Sequence, residues 1–371
     1  MTPQSTAPTS SQGAGSQSTG GRNRFHTVRV AEVHALCDDA AAITFDVPAE
    51  LATEFDFRPG QSLTLRRRDA EGEHRRSYSI CAARGERPRV GVREVPGGLF
   101  SNWLTREVRP GDEVEVAPPS GRFTPDLTTR GRHVLVAAGS GITPVLSIAA
   151  SLLRDTDSQV SLVYGNRRSG TVMFADELAD LKDAFPDRLE LVHVLSREPR
   201  ESELVSGRLD ADKLGALLGT LVPFEGNEQW WLCGPHSMVT GVQEFLHERG
   251  VPDAAVHREL FYVDLPPEPV RHEEGGVDGP STEAAIRLDG RTTSVTLPRD
   301  VPVLDAAQQV RPDLPFACKG GVCGTCRAKV TEGEVRMRRN FALEESEVDE
   351  GFVLTCQSLP VSDALTVDYD V

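Results

Sequence analysis

Two different periods of apolar and polar residues divide the chain. From Phe25 to about Pro125, short alternating runs recur: Thr27–Val30, Ile43–Val47, Ser62–Leu65, Arg89–Val92 and Glu113–Val116. Turns such as Arg58-Pro59-Gly60 and Arg109-Pro110-Gly111 separate them. This spacing predicts a small antiparallel β-barrel over residues 23–127. The period then changes. His133–Ala138, Val160–Tyr164, Leu189–Leu195 and Gln229–Cys233 are continuous apolar runs of the kind that buried parallel strands carry. Helical patterns at Pro144–Leu153, Ala175–Ala184 and Ser237–His247 lie between them, so 128–262 is expected to form an open α/β parallel sheet. A third compact unit, 283–371, has strand-like Ala285–Leu288 and Thr292–Leu297 and then a helical Val303–Gln309. The expected architecture is therefore multidomain.

Residues 1–22 are nearly all Ser, Thr, Gly, Gln, Pro and Ala, and cannot bury enough apolar surface to offset ordering entropy. A disordered tail is expected there. The stretch 263–282, rich in Pro, Glu and Gly, reads as a linker. A net charge of −16 across 371 residues argues against a nucleic-acid partner, whose phosphates call for a Lys/Arg surplus. No run approaches the roughly 18 apolar residues of a membrane helix, and no basic-then-apolar leader opens the sequence. The expectation is a cytoplasmic protein with no membrane partner. Between Asn340 and Val371 there are eight carboxylates and no Lys or Arg, a stretch that either steers docking to a basic partner or is merely a solvated surface.

Seven cysteines, three of them within nine residues, suit a reduced compartment and a metal or redox site better than a disulfide framework. Cys318, Cys323 and Cys326 are spaced C-x4-C-x2-C, and Cys356 follows after 29 residues, the plant-type [2Fe-2S] spacing. Lys319-Gly320-Gly321-Val322 and Gly324-Thr325 supply the positive φ and the N–H donors that a loop around four thiolates needs. Structural zinc is the alternative. It usually draws on two C-x2-C pairs or a Cys/His mix, and here there is one such pair and no His after His272.

Gly139-Ser140-Gly141-Ile142-Thr143-Pro144 follows a buried strand and opens a helix, a seat for pyrophosphate, although the third Gly of the dinucleotide fingerprint is missing. Cys233-Gly234-Pro235 belongs at the carboxyl edge of the same sheet, where ligands bind. In the barrel the run 75–80 offers a guanidinium, a phenol and hydroxyls, and Gly97-Gly98-Leu99-Phe100-Ser101 is a Gly turn entering a helix.

Taken in order, Arg76-x-Tyr78-Ser79, Gly98-x-x-Ser101, Gly139-x-Gly141-Ile142-Thr143-Pro144, Cys233-Gly234-Pro235 and Glu259-Leu260-Phe261 resemble the ferredoxin-NADP reductase family, with a plant-type ferredoxin fused behind. The resemblance runs from about 25 to 371. Within that superfamily, Tyr164–Arg167, Val172–Phe174, Leu178–Asp183, the loop Ala317–Cys323 and Val353–Pro360 look most like the reductase subunits of phenylacetyl-CoA epoxidases. It implies a flavin barrel, a nucleotide domain and a β-grasp-like α+β ferredoxin domain. It further implies that Arg76 binds the FAD phosphates, Tyr78 stacks on the isoalloxazine, Ser79 lies near flavin N5, and Gly98 and Ser101 help hold the diphosphate. Gly139, Gly141, Thr143 and Pro144 would seat the NADPH pyrophosphate, with Cys233, Gly234 and Glu259 beside the nicotinamide. Ser196-Arg197 matches the pair for the 2′-phosphate and Arg167 is a second candidate, favouring NADPH over NADH. The aromatic that covers the flavin in many members would be Phe261 or Tyr262, followed here by more chain.

Electrons would then pass from NADPH to FAD, to the cluster on Cys318, Cys323, Cys326 and Cys356, and on to an oxygenase component, with the phenylacetyl-CoA epoxidase favoured. A reductase for a Rieske-type hydroxylase, a non-catalytic electron carrier and a flavin oxidase are the alternatives. The oxygen chemistry belongs to another polypeptide, because the chain has no Rieske C-x-H. Its two Glu-x-x-His matches include Glu190/His193, which fall in a strand and point to opposite faces. Hydrolase motifs are absent too: there is no G-x-S-x-G and no H-E-x-x-H.

Overall fold

A computed structural model describes residues 25–69, 72–261, 280–343 and 345–371. The expected tail, Tyr262 and the linker up to residue 279 lie outside these. Strands β1 (His26–Cys37), β2 (Ala40–Asp46), β3 (Ser62–Asp69), β4 (Gly72–Ser79), β5 (Arg89–Arg93) and β6 (Glu113–Val116) form an antiparallel sheet in the order β4-β3-β6-β1-β2-β5. Its ends meet. Ile80 bridges Val90, and the Cys81 N–H donates to the Arg89 carbonyl at 2.8 Å, closing the barrel. Alternation places Val28, Ile43, Leu63, Val92 and Val116 inside, and helix α1 (Leu99–Arg106) plugs one end with Phe100 and Leu104.

The second unit runs β7 (Arg132–Ala138), α2 (Ile142–Asp155), β8 (Gln159–Asn166), α3 (Ala175–Ala184), β9 (Leu189–Leu195), α4 (Ala211–Leu217), β10 (Gln229–Gly234), α5 (His236–Glu248) and β11 (Val256–Leu260). The strands are all parallel, in the order β11-β10-β7-β8-β9. After β7 the chain moves outward one way, through β8 to β9, and after β10 it moves the other way. The crevice between the carboxyl ends of β7 and β10 is therefore the topological switch point. Both Glu190 and His193 lie in β9, as strand residues three apart that cannot share a metal.

The third unit comprises β12 (Ser281–Leu288), β13 (Arg291–Pro298), α6 (Val303–Ala307), β14 (Arg327–Glu332), β15 (Val335–Met337), α7 (Glu345–Asp349), β16 (Phe352–Leu354), β17 (Ser358–Pro360) and β18 (Ala364–Asp368). The main sheet is mixed, β13-β12-β18-β14-β16, with β12 and β18 parallel. Strand β12 begins two residues inside the expected linker. Thr282 is fully buried and its hydroxyl donates to the Ser362 carbonyl at 2.6 Å, which ties that position to the sheet. The expected helix to Gln309 stops at Ala307.

The units are packed together. Barrel residues Cys81, Ala83 and Phe123 share one core with Ile148 and Trp231 of the α/β unit, and the Ser147 hydroxyl donates to the Ala82 carbonyl at 2.6 Å. On the cysteine-bearing unit, Val322, Cys318 and Phe341 pack against the core of the α/β unit that includes Met238 and Leu260. Among the described residues, no helix is long and apolar enough to cross a membrane.

Candidate active site and cluster loop

The barrel and the α/β sheet meet around Ser79, Cys233 and Glu259. Ser79 ends β4, and its hydroxyl donates to Glu259 Oε2 at 2.9 Å across 180 residues of sequence. Strand register puts Cys233 of β10 opposite Glu259 of β11. Cys233 is buried and Glu259 half-buried. Burial pushes the Glu259 carboxyl up to about 7, with the Ser79 hydroxyl pulling the other way, and burial followed by the Glu259 charge pushes the Cys233 thiol up strongly. A half-buried carboxyl that can hold or lose a proton near neutrality thus sits beside a buried, neutral thiol. On the opposite face of β4, Tyr78 is half-buried with its ring 6.1 Å from Phe100, while Arg76 is exposed and donates to the Arg75 carbonyl at 2.7 Å.

At the entry to α1, Gly98 caps the helix and the buried Ser101 hydroxyl accepts the Val95 N–H at 3.1 Å. That hydroxyl braces the glycine turn, so an anion here would meet chiefly backbone N–H groups. In the switch-point crevice, Gly139 has φ of 57°, which only glycine adopts readily, and its carbonyl accepts the Tyr164 hydroxyl at 3.0 Å. A Cβ on Gly141 would stand 2.1 Å from the Cys233 carbonyl oxygen, so the turn after β7 can pass the end of β10 only with a glycine there. Thr143 is buried with its hydroxyl donating to the Ser140 carbonyl at 3.0 Å, and Pro144 is buried without an N–H. Neither side chain is directed to a ligand; what these positions offer is the start of α2 and its N–H groups. Beyond the ends of β8 and β9 the pairing continues: the Ser196 N–H donates to the Asn166 carbonyl at 2.9 Å and the Arg197 N–H to the Arg167 carbonyl at 2.8 Å. This sets two exposed arginines and a serine side by side. Phe261 is exposed, directly after β11.

The four clustered cysteines form two neighbouring pairs, Cys318 with Cys323 and Cys326 with Cys356. The left-handed turns are at Lys319, Gly321 and Gly324, and the Gly320 N–H donates to Cys318 Sγ at 3.3 Å. The Cys323 thiol, and then the N–H groups of Gly320, Val322 and Cys323, outweigh burial and pull the Cys318 thiol down. An all-sulfur donor set, partly buried and served by backbone N–H groups, fits a [2Fe-2S] cluster. The loop is braced from behind. Gln357 Nε2 donates to the Lys319 carbonyl at 2.8 Å, the Thr355 hydroxyl to the Cys326 carbonyl at 2.9 Å, and the buried Tyr369 hydroxyl to Thr355 at 2.9 Å.

Three family models match in chain order: an oxidoreductase FAD-binding domain at 27–124, an oxidoreductase NAD-binding domain at 135–244 and a 2Fe-2S iron-sulfur cluster binding domain at 286–361. One subunit of the 1,2-phenylacetyl-CoA epoxidase of Escherichia coli K12 is 41% identical over 352 residues, spanning 93% of this chain and 98% of the relative. The chain belongs to the flavin reductases fused to a [2Fe-2S] ferredoxin. The ferredoxin reductase component of the 3-ketosteroid-9-alpha-monooxygenase of Mycolicibacterium smegmatis is 39% identical, covering 92% and 96% of the two chains. A solved phthalate dioxygenase reductase shares the fold over 93% of this chain and 98% of its own, at a TM-score of 0.57 and 23% identity.

As a member of this family the protein is an NAD(P)H-dependent oxidoreductase of FAD, NAD(P)H and [2Fe-2S], the reductase component that serves an oxygenase. Sequence reasoning missed two features of this reductase: the buried Arg75 beside the cluster-bearing unit, and Glu347. Read as part of an acidic surface, Glu347 is in fact buried and accepts from Arg327 Nε at 2.9 Å and from Arg122 of the barrel. No sequence signal distinguishes it from the carboxylates around it, because its partners lie 20 and 225 residues away.

Proposed function

We propose that this reductase uses NADPH and delivers electrons to an oxygenase acting on phenylacetyl-CoA, the observation carrying this being the 41% identity to the epoxidase component across nearly the whole of both chains. The roles of the residues are part of the proposal. Arg76 and the N–H groups around Gly98 and Ser101 hold the FAD phosphates, and Tyr78 lies on its ring. The turn Gly139–Gly141 and the start of α2 at Thr143 and Pro144 seat the NADPH pyrophosphate, while Arg167, Ser196 and Arg197 hold the 2′-phosphate. Phe261, with Gly234, borders the nicotinamide crevice. Cys318, Cys323, Cys326 and Cys356 would hold the [2Fe-2S] cluster, and FAD bound in the barrel would supply the conversion of a two-electron hydride into the single electrons such a cluster accepts. Ser79 and Glu259 keep a shared proton between Oγ and Oε2, and the buried Cys233 thiol beside them stays neutral.

Stopped-flow mixing with NADPH, with and without a reconstituted phenylacetyl-CoA epoxidase oxygenase, tests this. NADPH should bleach flavin and cluster, and turnover of phenylacetyl-CoA should follow. If both bleach but that oxygenase stays oxidised, the second reading stands, a Rieske-type hydroxylase reductase, which the 39% identity to the ketosteroid component supports.

A further inference from the structure

We infer that Arg75 positions the cluster loop on the flavin-binding strand, and that the domain arrangement seen here is the one in which electrons cross from flavin to cluster. The inference rests on the cofactor roles proposed above. Arg75 is a charged side chain with only 4% of its surface exposed, and its surroundings are divided between two units. From its own barrel it meets Glu73, whose carboxylate accepts from Nε at 2.6 Å, and the Phe25 ring at 5.0 Å. From the ferredoxin unit, 239 residues away, it meets the Phe316 ring at 4.5 Å and the Leu314 carbonyl, 3.4 Å from Nη1. Phe316 stands two residues before Cys318. Lys319, the residue after Cys318, places Nζ 4.8 Å from the same ring, so the approach to the first cluster ligand is held between two cations.

Alternation along β4 gives this contact its meaning. Arg75, Ser77 and Ser79 share one face of the strand, and Arg76 and Tyr78 the other. One face therefore touches Glu259 at Ser79 and the cluster loop at Arg75, about 13 Å apart by strand rise. Other contacts surround the loop and hold it inward. The Phe341 ring meets His236 edge-on at 5.2 Å, Val322 packs on the α/β core, and Glu347 joins Arg122 to Arg327. Two electrons arrive with each hydride and leave in two one-electron transfers across this interface; no atom crosses it.

The test uses the full-length protein with both cofactors bound, as Arg75→Met, Phe316→Leu and the double variant. After mixing with NADPH, flavin bleaching should keep its wild-type rate while cluster reduction slows about tenfold, the scale of one lost contact to a charged group. The double variant should be no slower than either single one, and Arg75→Lys should restore most of the rate. Should Arg75→Met fail to retain flavin, Phe316→Leu, outside the barrel, decides alone. Cluster reduction at the wild-type rate in Phe316→Leu overturns the inference, and so does an equal slowing of flavin bleaching, which would mark a general structural support. If NADPH leaves the wild-type flavin oxidised, the functional reading fails instead, and light-driven flavin reduction still reads the cluster step alone.

Discussion

Glu259 shows how far a single residue's chemistry depends on neighbours distant in sequence. Its carboxyl lies at about 7 rather than the ordinary 4.5 because its partial burial on β11 beside β10 strips away water, so the folded protein binds a proton there that the unfolded chain has released. The stability this proton confers is fully present below pH 4.5 and is lost as pH rises through 7. Glu259→Gln should therefore remove that loss, leaving the variant more stable than wild type above pH 7 by on the order of 3 kcal/mol and converging with it in acid. Thermal unfolding at a series of pH values measures it. A second residue, Arg197, separates the two nucleotides: Arg197→Gln should raise KM for NADPH about tenfold with KM for NADH unchanged, since only the former carries the 2′-phosphate. The cluster cysteines were legible because their spacing is local. Glu259 was legible only through family resemblance, because the Ser79 hydroxyl that answers it comes from another domain.

Among the elements, α3 and β9 fall where the hydrophobic period put them, at Ala175–Ala184 and Leu189–Leu195. Long periodic segments carry their own signal. The strands β15, β16 and β17 do not, being three residues each, one of them ending in Pro360. Strand β11, Val256–Leu260, was also hard to read, since its middle is His257, Arg258 and Glu259 and only its ends are apolar. The turn between β7 and α2 is sensitive to change. Gly141→Ala would set a methyl group into the Cys233 carbonyl and force the turn away from the end of β10. NADPH should then no longer bleach the flavin, while FAD and cluster absorbance remain, because the residues proposed to hold those two groups lie outside this turn.

For the whole molecule, the contacts that join the units were not legible as contacts in the sequence, because they pair residues distant along the chain, from 65 positions for Ser147 and Ala82 to 239 for Arg75 and Leu314. Of the eight carboxylates after Asn340, Glu347, Asp363, Asp368 and Asp370 are engaged within the chain, Asp363 with Arg299, Asp368 with Arg287 and Asp370 with the N–H groups of Asp289 and Gly290. Electron delivery to the oxygenase should accordingly show a shallow dependence on salt, measured as the reduction rate of the partner across ionic strength; a steep decline would restore the acidic stretch as a steering surface. The Arg122 side chain is 68% exposed, so Arg122→Gln should cost the internal interface less than about 1 kcal/mol and slow cluster reduction by no more than about fivefold. The inward-facing cluster loop also sets up a competition. An oxygenase that must read the cluster over Cys318–Val322 meets a surface already occupied by the protein's own tethered domains, and can bind only the fraction of molecules in which that surface is free. Each 1.4 kcal/mol or so of internal docking raises its apparent Kd about tenfold. Modest affinity between the fused modules is thus a condition of turnover, and a variant that docked them more firmly would fill its cluster faster and empty it more slowly.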